Sequence, residues 1–491
     1  VSEISGDDER EGARAEHAGG IVLTPAEIAA AMDGEVVVEG KPGQPRRATI
    51  DSGGTGAGDL FFGLRGESHD GCEFAPAAVE AGAWGVVVRA ECAGDIEGAW
   101  VFAVADPLAA LQALARAWRR ALGARVVGIT GSVGKTSVKD IARALLPGTV
   151  HANRENLNTE IGLPLTVLEA PPDTDVLVLE MAMRGAGQIA ELAAIAEPEI
   201  AVITNVGPVH VELLGSIEAI AAAKAEVLAA LPAGGTAIVP TAAGELEPHL
   251  GEAPSLLRFG PGGDVHVAES RVEEGVTEAL IETPAGRRRF HFPFTEAHNL
   301  ENALAAVAVG VSIGAPLDEM ADRAANIGFS RFRGERLEMG DGIVLVNDCY
   351  NANPVSMRAA LSHLASLDGG RRIAVLGEMA ELGSDAAGYH REVGASARAE
   401  GVDLLVGVGE PAREYEPDEL VGAPEEAAEL LAAQLEPGDT ILVKGSRSAG
   451  LETVAETLEE LLGPPGRGAG GESISDSVRP RRAEEGPPGH G

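Results

Sequence analysis

Gly131-Ser132-Val133-Gly134-Lys135-Thr136-Ser137 has the residue types and spacing to hold a polyphosphate. Glycines let backbone N–H groups close around an anion, because they tolerate angles that a side chain forbids. A helix starting near Lys135 adds the partial positive charge of its N-terminus. Lys135 would reach the β- and γ-phosphates of a nucleotide such as ATP, and the Thr136 hydroxyl would face Mg²⁺. Gly131, Ser132, Gly134, Lys135, Thr136 and Ser137 are therefore the expected nucleotide-binding set. The spacing departs from G-x-x-x-x-G-K-[ST]: Ile129 stands where the first glycine belongs, and the nearby glycines are Gly128 and Gly131. A Gly-rich turn with an exposed lysine is the plainer reading. The apolar strand before the turn and the helix after it favour the phosphate loop.

Other polar residues fall where an open α/β sheet places its ligands, at the C-terminal ends of strands. Glu180 ends the buried run Asp175–Glu180, and His210 follows the strand Ile200–Asn205. Thr136 and Glu180 both present oxygen, which a hard cation prefers. Only five of the 38 basic residues are lysine: Lys41, Lys135, Lys139, Lys224 and Lys444. A chain that otherwise uses Arg keeps Lys where a compact or deprotonatable amine is needed. Asn299 and Asn302 lie on neighbouring positions of one helix face. Their amides suit an adenine edge, or else Asn299 caps the helix.

These residues need elements to carry them. The 491 residues suggest three domains: 21–106, 107–329 and 330–463, with disordered tails at 1–20 and 464–491. In the first, strands at Leu60–Leu64 and Gly85–Val88 flank a helix. In the second, helices at Thr136–Leu146, Ser216–Leu231 and His298–Gly310 join strands at Asp175–Glu180, Ile200–Asn205 and Ala237–Val239. In the third, strands at Ile343–Val346, Arg372–Leu376, Leu404–Val408 and Thr440–Val443 alternate with helices, which implies a parallel sheet. A net charge of −38 argues against nucleic acid and anionic membranes as partners. Three widely spaced cysteines form no disulfide framework and no zinc site. No apolar run is long enough to span a membrane, and the polar N-terminal stretch is not a secretory signal, so a cytoplasmic protein without membrane insertion is expected.

Several stretches together resemble the Mur ligase family, the ATP-dependent amide-bond-forming enzymes of cell-wall peptide assembly. TGSVGKTS, NLNTEIGLP, Glu180 in LEMAM, His210 in TNVGPVHVELLGS, Lys224 in AAAKAEV, HNLENALAA, NDCYNANPVSM, LGEMAELG and LVKGSRSAG carry the resemblance, from about Ile21 to Leu462. The last three stretches point to the subgroup that adds a dipeptide. The resemblance implies an α/β fold in three domains: a small α/β UDP-substrate domain, a central P-loop ATPase-like parallel sheet and a C-terminal Rossmann-like domain. It implies that ATP phosphorylates the terminal carboxylate of a UDP-N-acetylmuramoyl tripeptide. D-alanyl-D-alanine then attacks the acyl phosphate. A monomer is expected.

The resemblance also distributes roles. Lys135, Glu180, His210 and Lys224 would be catalytic. Thr136 and Glu180 would hold one Mg²⁺. His210 and a CO₂-carbamylated Lys224 would serve a second. Asn299 would meet the adenine, Arg336 the γ-phosphate and Asp348 the ribose, with Arg333 a rival to Arg336. Ser52, Asn158, Thr159, Tyr350 and Asn351 would line the substrate site, with Asn353 in the same loop. Lys444, Ser446 and Arg447 would take the dipeptide carboxylate, and Phe329–Gly334 would hinge the third domain. Gly53, Cys72, Ala182, Gln188 and Leu451 depart from the family pattern. Another amino-acid-adding ligase, a P-loop switch ATPase and a silent binding protein are the rival readings. Retention of Lys135, Glu180, His210 and Lys224 together speaks against silence.

Overall fold

A computed structural model of the chain describes residues 20–462, apart from 67–68, 95, 155, 209–213 and 368. The expected tails therefore lie outside the described residues except for Gly20, and so does His210. The architecture is α/β, with three mostly parallel sheets in sequence. Among the described residues no helix is long and apolar enough to cross a membrane.

The first sheet has five strands in the order Glu35–Val38, Trp100–Val104, Gly85–Arg89, Leu60–Phe62, Ala48–Thr49. Only Glu35–Val38 runs antiparallel. Trp84, Trp100 and Phe102 stack together.

The second sheet positions the phosphate loop. Its six strands are all parallel, in the order Ser255–Phe259, Thr236–Pro240, Ile200–Ile203, Arg125–Thr130, Val176–Glu180, Val150–Ala152. Two of its inner strands, Ile200–Ile203 and Val176–Glu180, are buried throughout and apolar up to Glu180, as parallel strands covered on both faces must be. The strand order turns outward on either side of Arg125–Thr130, so the loops after it and its two neighbours share one crevice. The helix Lys135–Leu145 leaves that crevice, and the apolar helix Ala297–Ile313 packs along it. A separate antiparallel sheet of three strands, at His266–Glu273, Val276–Thr283 and Gly286–Phe292, flanks this layer.

The third sheet has the order Glu335–Glu338, Val344–Asn347, Thr440–Lys444, Arg372–Leu376, Leu404–Val408, Glu419–Val421. The parallel core agrees with the βαβ alternation. The two edge strands were not legible in sequence: one is short, and the other, Glu-Arg-Leu-Glu, is antiparallel and has no buried residue.

Close packing supports the third sheet from behind. Gly394, in the helix Ala386–Ala399, faces the backbone of Tyr415 so closely that a Cβ would lie 2.1 Å from its carbonyl oxygen. A backbone neighbour cannot swing aside. We expect Gly394→Ala to destabilise the protein by about 2 kcal/mol, an ordinary overpacking cost. Urea unfolding checks this; an unchanged midpoint would refute the contact.

Candidate active site

The phosphate loop has the shape that its glycines permit. Gly131 and Gly134 have φ of +154° and +80°. A Cβ on Gly131 would come within 1.8 Å of the Thr204 hydroxyl, and one on Gly134 within 2.4 Å of Asn302 Oδ1. Asn205 braces the loop by accepting from the N–H groups of Ser132 (3.1 Å) and Val133 (2.9 Å). The Ser132 hydroxyl is spent on the backbone of Gly207, donating at 3.0 Å and accepting at 2.9 Å. Lys135 folds back to donate to Gly131 O at 2.8 Å. Ser137 sits half-buried in the first turn of the helix. Thr204 and Asn205 were absent from the expected set, although their place at a strand end next to the loop was a usable signal.

Glu180 is the hub of the site. It is 2% exposed, the last residue of its strand. Its Oε2 accepts from Thr136 Oγ1 at 2.9 Å, and its Oε1 from Asn158 Nδ2 at 2.9 Å. Its backbone N–H is held by Asn153 Oδ1 at 2.6 Å. Asn158, expected to meet substrate, therefore orients the carboxylate, while Thr159 lies exposed nearby. Lys224 is 1% exposed, and no hydrogen bond to its ammonium group is found among the described residues. Burial pushes its pKa well below the ordinary lysine value, and repulsion from Lys135 adds to the fall. Desolvation also lowers Lys135, opposed by Glu180 and helped by Arg333.

Arg333, not Arg336, reaches this centre. Its Nη2 donates to Thr136 Oγ1 at 3.0 Å, and its guanidinium lies 4.0 Å over the Tyr350 ring. Its Nε is buried and has no partner among the described residues, which leaves a donor for an anion. Arg336 points from the edge strand, half exposed, with Glu338 at 3.7 Å. The cause is the linker. Ser330 donates through both N and Oγ to Asp140 Oδ2, each at 2.8 Å. This pins the chain to the phosphate-loop helix three residues before Arg333. A cavity of about 500 Å³ lies alongside, lined by Glu296, Arg331, Arg333, Arg336 and His363 among others.

The remaining expected residues lie in three places. Asn302 donates to Asn299 Oδ1 at 3.3 Å, and Asn299 to Glu296 Oε2 at 3.4 Å, so the two amides form a chain beside the loop. In the third unit, Lys444 and Asp348 were expected to serve different ligands, yet they hold each other: Nζ to Oδ2 is 2.6 Å. Lys444 also donates to the carbonyl of Asn351 at 3.0 Å. It ends a buried strand, and its charge is paired with Asp348 there. Asn353 caps the helix Pro354–Ser366. Ser446 Oγ accepts from Ala380 N–H, whereas Arg447 remains exposed, beside Glu452 at 3.0 Å. Ser52 stays in the first unit, in the turn after Ala48–Thr49. Cys72 is a buried core residue, 4% exposed.

Three family descriptions match the chain in order: Mur ligase family, catalytic domain, at residues 47–119; Mur ligase middle domain, at 129–310; and Mur ligase, glutamate ligase domain, at 332–447. A UDP-N-acetylmuramoyl-tripeptide–D-alanyl-D-alanine ligase from Synechocystis is 39% identical, covering 82% of this chain and 89% of that protein. The chain belongs to the Mur ligase family. The Bacillus subtilis ligase of the same name is 38% identical, over 82% of this Mur ligase and 90% of its own length. Among solved structures, MurF from Acinetobacter baumannii superposes with a TM-score of 0.81 at 28% identity, covering 89% of this chain and 99% of that one. MurF from Thermotoga maritima, in complex with ADP, gives 0.75 at 29% identity, with 85% and 97% covered.

The two arginines of this Mur ligase can be separated by experiment. We expect Arg333→Ala to slow ATP-dependent phosphate release on the order of 10³-fold, the scale of an arginine acting on a transferring phosphoryl group. Arg336→Ala should stay within about threefold, since its exposed pair contributes little. The reverse ranking would overturn the assignment.

Proposed function

We propose that this Mur ligase joins D-alanyl-D-alanine to a UDP-N-acetylmuramoyl tripeptide, yielding the UDP-muramoyl pentapeptide, ADP and phosphate. The observation that carries the reading is the meeting of Thr136, Glu180 and Arg333 at one point, fed by a phosphate loop from one sheet and a linker from the next. The names of its relatives supply the substrates.

A carboxylate is a poor electrophile because oxide is a poor leaving group. Transfer of the γ-phosphoryl group to the tripeptide carboxylate breaks the bond to ADP and forms an acyl phosphate. The dipeptide amine attacks the acyl carbon, loses a proton, and the C–O bond to phosphate breaks. The first step brings two anions together, so its barrier is largely electrostatic. Lys135 and the free Nε of Arg333 are the fixed cations that would lower it. The backbone N–H groups of Gly134 and Lys135, beyond the two that Asn205 takes, would hold the β-phosphate.

The donor set fits a hard cation: a buried carboxylate beside a hydroxyl, both oxygen. Thr136 and Glu180 would hold Mg²⁺, whose charge offsets that of the phosphates when bound. Lys224 is suited to carbamylation, since a buried, charge-poor amine is nucleophilic toward CO₂. The balanced step is amine plus CO₂ giving carbamate and one proton. With His210, that carbamate would serve a second Mg²⁺. Asn299 and Asn302 would face the adenine. Arg447, with the helix that follows it, would take the dipeptide carboxylate. A UDP-linked substrate and ATP suit a cytoplasmic enzyme.

Two measurements test this. Phosphate release from ATP should require both the UDP-muramoyl tripeptide and D-alanyl-D-alanine, with the pentapeptide product seen by mass spectrometry. Release without the dipeptide would favour a switch ATPase; release with a single amino acid would favour another amino-acid-adding ligase. Separately, Lys224→Ala should lose most activity and regain part of it with a small added carboxylate. Full activity in that variant would refute carbamylation.

A further inference from the structure

Residues 377–382, Gly-Glu-Met-Ala-Glu-Leu, form a loop held from two sides. On one side is the turn after Thr440–Lys444. Gly377 N–H donates to Lys444 O at 2.9 Å, Ser446 N–H to Glu378 O at 2.9 Å, and Ala380 N–H to Ser446 Oγ at 2.9 Å. Behind lie His390 and Tyr415, two buried rings 4.8 Å apart that play no part in the chemistry above. Met379 N–H donates to His390 Nε2 at 3.0 Å, and Tyr415 OH donates to Gly377 O at 2.8 Å. A backbone N–H can only donate, so His390 Nε2 must be the bare nitrogen. Its proton then sits on Nδ1, which donates to Ala386 O at 2.7 Å. The ring is thereby fixed in one tautomer.

The front of the loop faces the central unit. Glu381 takes a left-handed φ of +63°, uncommon for a residue with a side chain. Its carboxylate lies 3.5 Å from Arg184, four residues beyond Glu180. The loop therefore spans the distance between the exposed Arg447 turn and the loop that leaves the catalytic carboxylate. The nucleotide side is built from other elements.

We infer that His390 is a positioning residue for the incoming dipeptide: by gripping Met379 N–H it sets loop 377–382 between the Ser446 turn and Arg184, closing the acceptor side of the site. This rests on the reaction proposed above. A backbone N–H left buried and unpaired is costly, so loss of the imidazole acceptor forces the loop to move. The Michaelis constant for the dipeptide then rises while the nucleotide site keeps its geometry.

The test is steady-state kinetics of the full chain with each substrate varied in turn. His390→Leu removes the acceptor. It should raise KM for D-alanyl-D-alanine about tenfold, with kcat at saturation within about threefold and KM for ATP and the tripeptide within about twofold. His390→Gln, whose side-chain oxygen can accept from Met379 N–H, should bring the dipeptide KM back to within about threefold of the parent. Tyr415→Phe, which removes only a hydroxyl, should move it in the same direction by less, and decides the matter if His390→Leu does not fold. The inference is overturned if the dipeptide KM is unchanged, if all three KM values rise together, or if His390→Gln is as impaired as His390→Leu. A parent enzyme that does not consume the dipeptide at all would instead refute the proposed reaction.

Discussion

The hydrogen bond from Thr136 to Glu180 is the contact on which the site depends. A carboxylate that is 2% exposed pays heavily for losing water unless its oxygens find donors. Here one oxygen takes Thr136 and the other Asn158, while Asn153 grips the backbone on both sides of the residue. Those partners come from the phosphate-loop helix and from the loop after Val150–Ala152. Satisfying one buried acid therefore fixes the relative placement of three segments. Two lysines that burial holds below their ordinary pKa stand close by, so the crevice is short of water. Such a place magnifies the effect of any polyphosphate or cation that enters it.

The same contact connects the units. Thr136 accepts from Arg333, which reaches it because Ser330 is anchored on Asp140, one turn further along the helix. Asp140 in turn lies 3.1 Å from the buried Lys139. Farther along the same interface, His363 of the third unit lies 3.4 Å from Glu296 of the second. The linker is thus pinned at its start. The third unit is held to the phosphate-loop helix at Ser330, and Arg333 follows three residues later.

How much of this could be read from sequence depended on how local the cause was. The phosphate loop was legible because glycine sterics act within a few residues, and Gly131 and Gly134 have the conformations that required them. Glu180 was legible as an acid ending an apolar strand. The fold class followed from buried runs alternating with helices. Arg333 and Arg336 could not be ranked, since they differ only in how the linker is anchored by a residue 190 positions away. The pairing of Lys444 with Asp348 spans 96 positions and could not be read from either residue's surroundings in sequence. The bracing by Thr204 and Asn205 likewise arises only when distant strands are laid side by side, whereas His390 reaches loop 377–382 from the helix that follows it, eleven positions from Met379.

The central claim is that Thr136 and Glu180 together make a cation-dependent nucleotide site. ADP binding measured by calorimetry, with Mg²⁺ and then with a chelator, tests it without relying on turnover. Mg²⁺ should tighten ADP binding in the parent protein. In Glu180→Gln, which keeps the shape but removes the charge, that tightening should vanish while the metal-free affinity is little changed. An undiminished Mg²⁺ effect in Glu180→Gln would contradict it.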